Sequence, residues 1–122
     1  MEPKTLILIL TSILFGVFGQ ISLKHGMNNL GPLEIKDIFS RKLFSIIFEK
    51  FVFIGIVFYL IATLIWLVIL SKIELSTAYP MLAIGYVIIA LLSKFLLNEN
   101  LTLLKFVGIV LISVGVFLVL KS

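Results

Sequence analysis

The sequence predicts an all-α membrane protein in which four transmembrane helices form an up-down bundle, with an amphipathic interfacial helix between the first two. Two observations support this fold class. Of the 122 residues, 61% are hydrophobic, which is more apolar surface than a soluble domain of this size could bury. The apolar residues also fall into four runs, each long enough to cross roughly 30 Å of hydrocarbon as a helix.

The first run predicts a transmembrane span over about residues 6–23. A secretory signal peptide is the competing interpretation of such a segment. Only Lys4 would supply its positive region, and no small-x-small cleavage site precedes the polar Gln20 and Lys24. We therefore expect this segment to remain part of the protein as its first span.

An amphipathic helix is predicted over about residues 33–49, after the turn sequence NNLGP. Its apolar residues share one helical face, whereas charged and polar residues cover the other; the apolar set is Ile35, Ile38, Phe39, Leu43, Ile46 and Ile47. Such a helix would lie in the membrane interface with its apolar face in the acyl boundary. Contact with the neighbouring spans is the alternative interpretation.

The remaining spans are predicted over about residues 51–70, 78–97 and 103–120. The short connections SKIELST and NENLT separate them, and short connections make consecutive helices antiparallel neighbours. We therefore expect residues 1–122 to form a single transmembrane domain.

The net charge of +4 indicates contact with lipid headgroups and control of orientation, not nucleic-acid binding. By the positive-inside rule, both termini would face outward, because most basic residues lie at the opposite side: Lys24, Lys36, Arg41, Lys42, Lys50 and Lys105. Several of these belong to the amphipathic segment, however, where binding of headgroups would also explain them.

The sequence offers no constellation for catalysis. It has no cysteine and a single histidine, and no acidic or basic residue occupies the middle of a span. Neither a metal cluster, a nucleophile–base pair nor a phosphate-binding glycine loop can be built from these residues. We therefore expect no enzyme activity and no metal site.

Polar and small residues at the end of the first span are the first candidates for a site. Gly16 and Gly19 would allow close approach of another helix, and Gln20 lies on broadly the same side. The Gln20 amide would serve either as an interhelical hydrogen bond or as a ligand contact. Lys24 and His25, one turn later, would either snorkel to the interface or form a cationic pocket for a lipid phosphate.

The third span supplies the second group of candidates. Tyr79 and Tyr86 share one side of a helix because they are two turns apart. Pro80 and Gly85 predict an irregular start of this span, with Pro80 close enough to the helix start to cost little. Trp66, near the end of the second span, is predicted to be an interfacial anchor.

Three stretches, FGQISLK, STAYPMLAIGYV and LLNENLTLLKFVGIVLISVGV, together resemble the drug/metabolite transporter superfamily in its small four-span, EamA-like branch. The last stretch is similar to its glycine–glutamate–x–leucine–threonine turn followed by spaced glycines, here Gly108 and Gly115. Asn98 replaces the first glycine of that turn, and asparagine also tolerates a left-handed backbone. The resemblance implies that these glycines serve helix packing.

Two branches of the superfamily have this size. The small multidrug resistance family carries a membrane-embedded glutamate where this chain has Gly16, although Lys24 matches that family's lysine. The aminoarabinose–undecaprenyl-phosphate flippase subunits are more similar, since they share a glycine–glutamine pair, a lysine and a tyrosine–proline pair, matched here by Gly19, Gln20, Lys24, Tyr79 and Pro80.

The resemblance implies a flippase subunit of the inner membrane that moves a polyprenyl-phosphate-linked amino sugar, or a polyprenyl phosphate, between leaflets. It implies no cofactor, and a homodimer or a heterodimer with a similar four-helix subunit. The headgroup would pass between spans one and three, along Gln20, Tyr79 and Tyr86, with Lys24 and His25 at the phosphate. An exporter of cations or metabolites and a non-transporting accessory subunit are the alternatives.

Overall fold

The computed structural model describes residues 2–122, and its elements are all helices. Their bounds are α1 Pro3–Leu30, α2 Ile35–Ile38, α3 Lys42–Ile47, α4 Lys50–Leu70, α5 Leu75–Met81, α6 Ala83–Leu96 and α7 Leu103–Lys121. Four units are long and apolar enough to cross a membrane, namely α1, α4, α5 with α6, and α7. The predicted all-α fold with four spans is confirmed.

α1 is longer than the predicted span. It continues through Lys24 and His25 to Leu30, so the polar end of the first apolar run is still helical. Gly31, with φ 82°, ends the helix in a backbone conformation that glycine adopts without a steric penalty.

α1 and α4 pack against each other with their backbones in close contact. A Cβ atom on Gly19 would lie 3.1 Å from the carbonyl oxygen of Gly55. Two serine hydroxyls of α1 donate to carbonyls of α4, Ser12 to Ala62 at 3.0 Å and Ser22 to Phe51 at 2.6 Å. In lipid there is no hydrophobic driving force between helices, so close packing at small residues and interhelical hydrogen bonds hold them together.

The segment predicted as one amphipathic helix forms two short helices, α2 and α3, so the prediction of a continuous helix is wrong. Ser40, between them, donates its hydroxyl to the Asp37 carbonyl at 2.9 Å and accepts the Lys42 N–H at 3.2 Å. Side-chain bonds of this kind compete with the helical ladder. No residue of either helix is buried, and their location in the membrane interface stays a prediction.

The third span is divided at Leu82 into α5 and α6. It begins at Leu75, earlier than predicted, and this start places Pro80 inside the helix, which corrects the expectation that Pro80 occupies the first turn. Proline has no backbone N–H to donate, and its ring crowds the preceding turn of the helix. The predicted irregularity of this span is confirmed.

The helices are arranged so that α1 packs against α4 and α6, while α7 packs against α5 and α6. The core is formed mainly by α1, α4 and α5, with Ile9, Ile13, Val17, Ile69, Ala78 and Met81. α7 contributes Val116 as its one buried residue. Asn98 precedes α7 with φ 56°, which confirms that asparagine replaces glycine at a left-handed position.

Candidate functional site

A groove of about 270 Å³ lies between α1, α4, α5 and α6. Its walls carry Ser12, Gly16, Gln20, Tyr59, Thr63, Trp66, Tyr79, Gly85 and Tyr86, together with apolar side chains. None of the lining residues is acidic or basic. The groove is therefore an uncharged, mainly apolar surface that carries a few polar groups at the depth of the membrane spans.

Glycine creates part of this space. A Cβ atom on Gly16 would meet no atom within 4 Å, so the missing side chain is open volume. Gly85, in contrast, is packed closely, because its Cβ would lie 3.3 Å from the Ile13 side chain. The first widens the groove, and the second lets α6 approach α1.

The structure brings together three predicted site residues, Gln20, Tyr79 and Tyr86. All three tyrosines of the chain line the groove. Their phenol groups have an apolar ring and a polar tip, which suits a surface that meets both lipid and a polar ligand.

The second span forms one wall of the groove, which sequence reasoning missed. Tyr59, Thr63 and Trp66 line it, although Trp66 was expected to anchor in the interface. The Trp66 ring meets Tyr79 edge-on, with 6.4 Å between centroids and an angle of 69°. The helical spacing of these three residues was the signal that could have revealed this face.

Two hydroxyl groups that line the groove already donate hydrogen bonds within the protein. Ser12 donates to the Ala62 carbonyl at 3.0 Å, and Thr63 donates to the Tyr59 carbonyl at 2.9 Å. The other polar groups of the lining are the Gln20 amide, the tyrosine hydroxyls and the Trp66 indole. These can exchange hydrogen bonds with a sugar or a phosphate oxygen, but they cannot neutralise a charge.

Lys24 and His25 do not line the groove. Lys24 is exposed one turn beyond Gln20 on α1. The His25 ring packs edge-on against Phe51, 4.3 Å between centroids, and lines a mainly apolar cavity of about 380 Å³. The structure therefore does not join the two cations in one pocket, and their roles at a phosphate stay predictions.

His25 lies near the carboxylate that caps α4. Glu49 accepts the N–H groups of Phe51 and Val52, both at 2.9 Å, and the Asn29 amide at 3.3 Å. The Val52 hydrogen bond is the main cause that lowers the pKa of Glu49, with smaller contributions from Asn29, Phe51 and the charge of His25. This end of α1 thus holds the start of α4.

The remaining predicted glycines have different surroundings. Gly19 lies in the α1–α4 contact, whereas a Cβ on Gly108 or Gly115 would meet no atom within 4 Å. Their predicted packing role would therefore require another chain. Within residues 2–122, no three His, Cys, Asp or Glu residues are placed to hold a metal ion.

Four spans, three of which surround an uncharged groove, define a small multi-pass membrane protein of the transporter class. No model of a known protein family matches the chain, and no solved structure matches it. Similar proteins are nevertheless found over most of its length.

One relative, from Proteus mirabilis, is 33% identical over 90% of this chain and 86% of its own length, and is named probable 4-amino-4-deoxy-L-arabinose-phosphoundecaprenol flippase subunit ArnF. A relative from Photorhabdus laumondii with the same name is 34% identical over 90% of this chain and 91% of its own length. A relative from Pseudomonas savastanoi, named as the flippase subunit ArnE, is 27% identical over 93% of this chain and 94% of its own length.

The chain belongs to the family of these aminoarabinose-phosphoundecaprenol flippase subunits. The resemblance predicted from the span motifs is confirmed. The chain is a multi-pass protein of the inner membrane.

Proposed function

We propose that this chain is a subunit of a flippase that moves a polyprenyl-phosphate-linked amino sugar between the leaflets of the inner membrane. The observation that carries the proposal is the uncharged groove at span depth, whose polar groups include Gln20 and all three tyrosines. The names of the relatives supply the cargo, an aminoarabinose joined to phosphoundecaprenol.

The groove would act as a substitute for water. A sugar headgroup loses its hydrogen bonds when it leaves the aqueous phase, and an unsatisfied polar group in an apolar medium costs several kcal/mol. Gln20, Tyr79 and Tyr86 would replace part of those hydrogen bonds while the prenyl chain stays in the surrounding lipid. Tyr59 and Trp66 would do the same from the opposite wall.

Lys24 would meet the phosphate before the headgroup reaches the groove. It lies one turn beyond Gln20, on the same side of α1 and exposed. A lysine at the level of the headgroups attracts an anionic headgroup electrostatically, and salt weakens this attraction. His25, which packs on Phe51, would act mainly by supporting the Glu49 cap.

Export of cations in exchange for protons is the weaker candidate. Such exchange requires a desolvated carboxylate that binds either a proton or the cation. The groove has Gly16 in the corresponding position and no carboxylate in its lining. The neutral groove favours the lipid cargo.

We further propose that two four-span subunits form the working unit, and that the chain has no enzymatic role. α7 exposes most of its apolar residues, including Leu104 at 82% and Leu111 at 67%. The relatives are named as subunits ArnE and ArnF. A second subunit of this kind would cover the exposed apolar face of α7.

Reconstitution tests the proposal. The chain would be placed in liposomes, alone and together with a complementary four-span subunit, and the transfer of labelled aminoarabinose-phosphoundecaprenol between leaflets followed. We expect transfer that is lost in Gln20→Leu and kept in Ser113→Ala, because Ser113 lies on α7 outside the groove. Proton-linked flux of a quaternary cation without lipid transfer would contradict the proposal, and binding to a glycosyltransferase without any transfer would favour an accessory subunit.

A further inference from the structure

A third opening, of about 320 Å³, lies where α6 ends and α7 begins. Its polar lining consists of Ser93, Lys94, Glu99, Asn100 and Lys105, and we refer to it as the loop cleft. Tyr86 and Ile89 line both the loop cleft and the groove. The two spaces therefore meet at a shared wall.

The loop cleft contains the charges that the groove lacks. Lys94 lies in the last turn of α6 and Lys105 in the first turn of α7, with Glu99 in the connection between them. The Lys105 ammonium donates to the Asn100 carbonyl at 3.0 Å, which holds its stem at the cleft. Within residues 2–122, Glu99 forms no ion pair, so its carboxylate is available to a ligand.

Both signs of charge thus face one small space beside an uncharged path. Snorkelling would explain a lysine at the end of a span. Glu99, exposed in the connection between α6 and α7, adds an unpaired carboxylate to the same cleft. A ligand that carries both an anionic phosphate and a protonated amine would satisfy all three charged side chains. Charge-assisted hydrogen bonds of this kind are stronger than neutral ones.

We propose that the loop cleft recognises a zwitterionic lipid headgroup, with Lys94 and Lys105 on the phosphate and Glu99 on a primary amine of the sugar. Tyr86, in the shared wall, then contacts the sugar as it moves into the groove. This inference rests on the proposed function, and it identifies the residues that select an amino sugar over an uncharged one.

Equilibrium binding to the purified protein in detergent micelles tests the assignment. The probes are aminoarabinose-phosphoundecaprenol, the same lipid with its amine acetylated, and undecaprenyl phosphate. The variants are Glu99→Gln and the double variant Lys94→Gln/Lys105→Gln. Matched controls are Glu74→Gln and Lys72→Gln, which change exposed residues of the connection at the other end of the spans.

Glu99→Gln is expected to weaken binding of the amine-bearing lipid about tenfold, the effect of one charged hydrogen bond. It leaves binding of the acetylated lipid and of undecaprenyl phosphate unchanged. The double lysine variant is expected to weaken binding of all three phosphate lipids by at least about tenfold, and the two control variants behave as wild type.

Several results would overturn the assignment. If Glu99→Gln weakens the binding of all three lipids equally, or of none of them, the Glu99 carboxylate does not bind the amine. If phosphatidylethanolamine, which carries the same two charges, competes with equal affinity, the cleft is a general lipid site. If the wild-type protein binds the lipids and no cleft variant changes the affinity, the assignment of the loop cleft is wrong but the proposed function stands. If the wild-type protein binds none of the undecaprenyl lipids, the proposed function is refuted as well.

Discussion

The carbonyl oxygen of Gly19 lies 2.7 Å from the position that a Cβ atom on Gly55 would occupy, so α1 and α4 meet backbone to backbone. This contact lies between the two serine hydrogen bonds that join the same helices. Since α1 and α4 both form walls of the groove, the width of the groove depends on this crossing.

Gly55→Ala and Gly16→Ala form a matched pair that tests this packing. The added methyl group at Gly55 would overlap the Gly19 carbonyl and the Leu23 side chain, and overpacking of this kind costs about 1 to 3 kcal/mol. At Gly16 the methyl group meets no atom, and alanine favours a helix by up to about 1 kcal/mol over glycine. Thermal unfolding in detergent should show a destabilised Gly55→Ala and an unchanged or stabilised Gly16→Ala; equal stability of the two would contradict the close contact.

Filling the groove should stop transport without unfolding the protein. Gly16→Leu places a side chain in open volume beside Gln20 and Tyr86. We expect lipid transfer in proteoliposomes to fall strongly while the unfolding temperature stays near that of wild type. Full transfer by this variant would show that the headgroup does not pass this point.

The tyrosine hydroxyls should each contribute to transfer. Tyr79→Phe and Tyr86→Phe keep the rings but remove one hydrogen-bonding group from the groove, and a hydrogen bond is worth about 0.5 to 1.5 kcal/mol net. Transfer rates are therefore expected to fall by up to about tenfold for each variant. The conservative variant Thr11→Ser, whose position does not line the groove, should transfer lipid at the wild-type rate.

The Glu49 cap predicts a pH-dependent stability. Because the folded protein lowers the pKa of Glu49, its carboxylate stabilises the fold at neutral pH, and this contribution is lost as the pH falls through the lowered pKa. Glu49→Gln should therefore be less stable than wild type at pH 7, and the difference should shrink in acid. A difference that is independent of pH would mean that the charge of Glu49 does not stabilise the start of α4.

Lys24 offers a test of where the phosphate first meets the protein. The side chain is exposed and lies outside the groove, so Lys24→Gln should weaken lipid binding mainly at low ionic strength, where exposed charges are least screened. Binding measured in low and in high salt checks this expectation. A loss that is equally large in both would indicate a direct, desolvated contact with the phosphate.

The sequence predicts the features that depend on local pattern. Hydropathy located the four spans, the two-turn spacing placed Tyr79 and Tyr86 on one face, and the turn motif predicted a left-handed Asn98. These features follow from residues that are near one another along the chain.

Features that depend on distant partners were missed. The second span was not expected at the groove, because only the crossing of α1 and α4 turns Tyr59 and Trp66 toward Tyr79. The amphipathic segment is divided where Ser40 hydrogen-bonds to the backbone of Asp37 and Lys42, and the periodicity of apolar residues does not predict such bonds.

The proposed path of the lipid headgroup across the membrane is the uncharged groove. The most direct measurement compares the transfer of labelled aminoarabinose-phosphoundecaprenol by wild type, Gly16→Leu and Gln20→Leu in proteoliposomes that contain the complementary subunit. We expect rapid transfer by wild type and loss of transfer in both variants, each folded at the assay temperature. Transfer at the wild-type rate by both variants would contradict it.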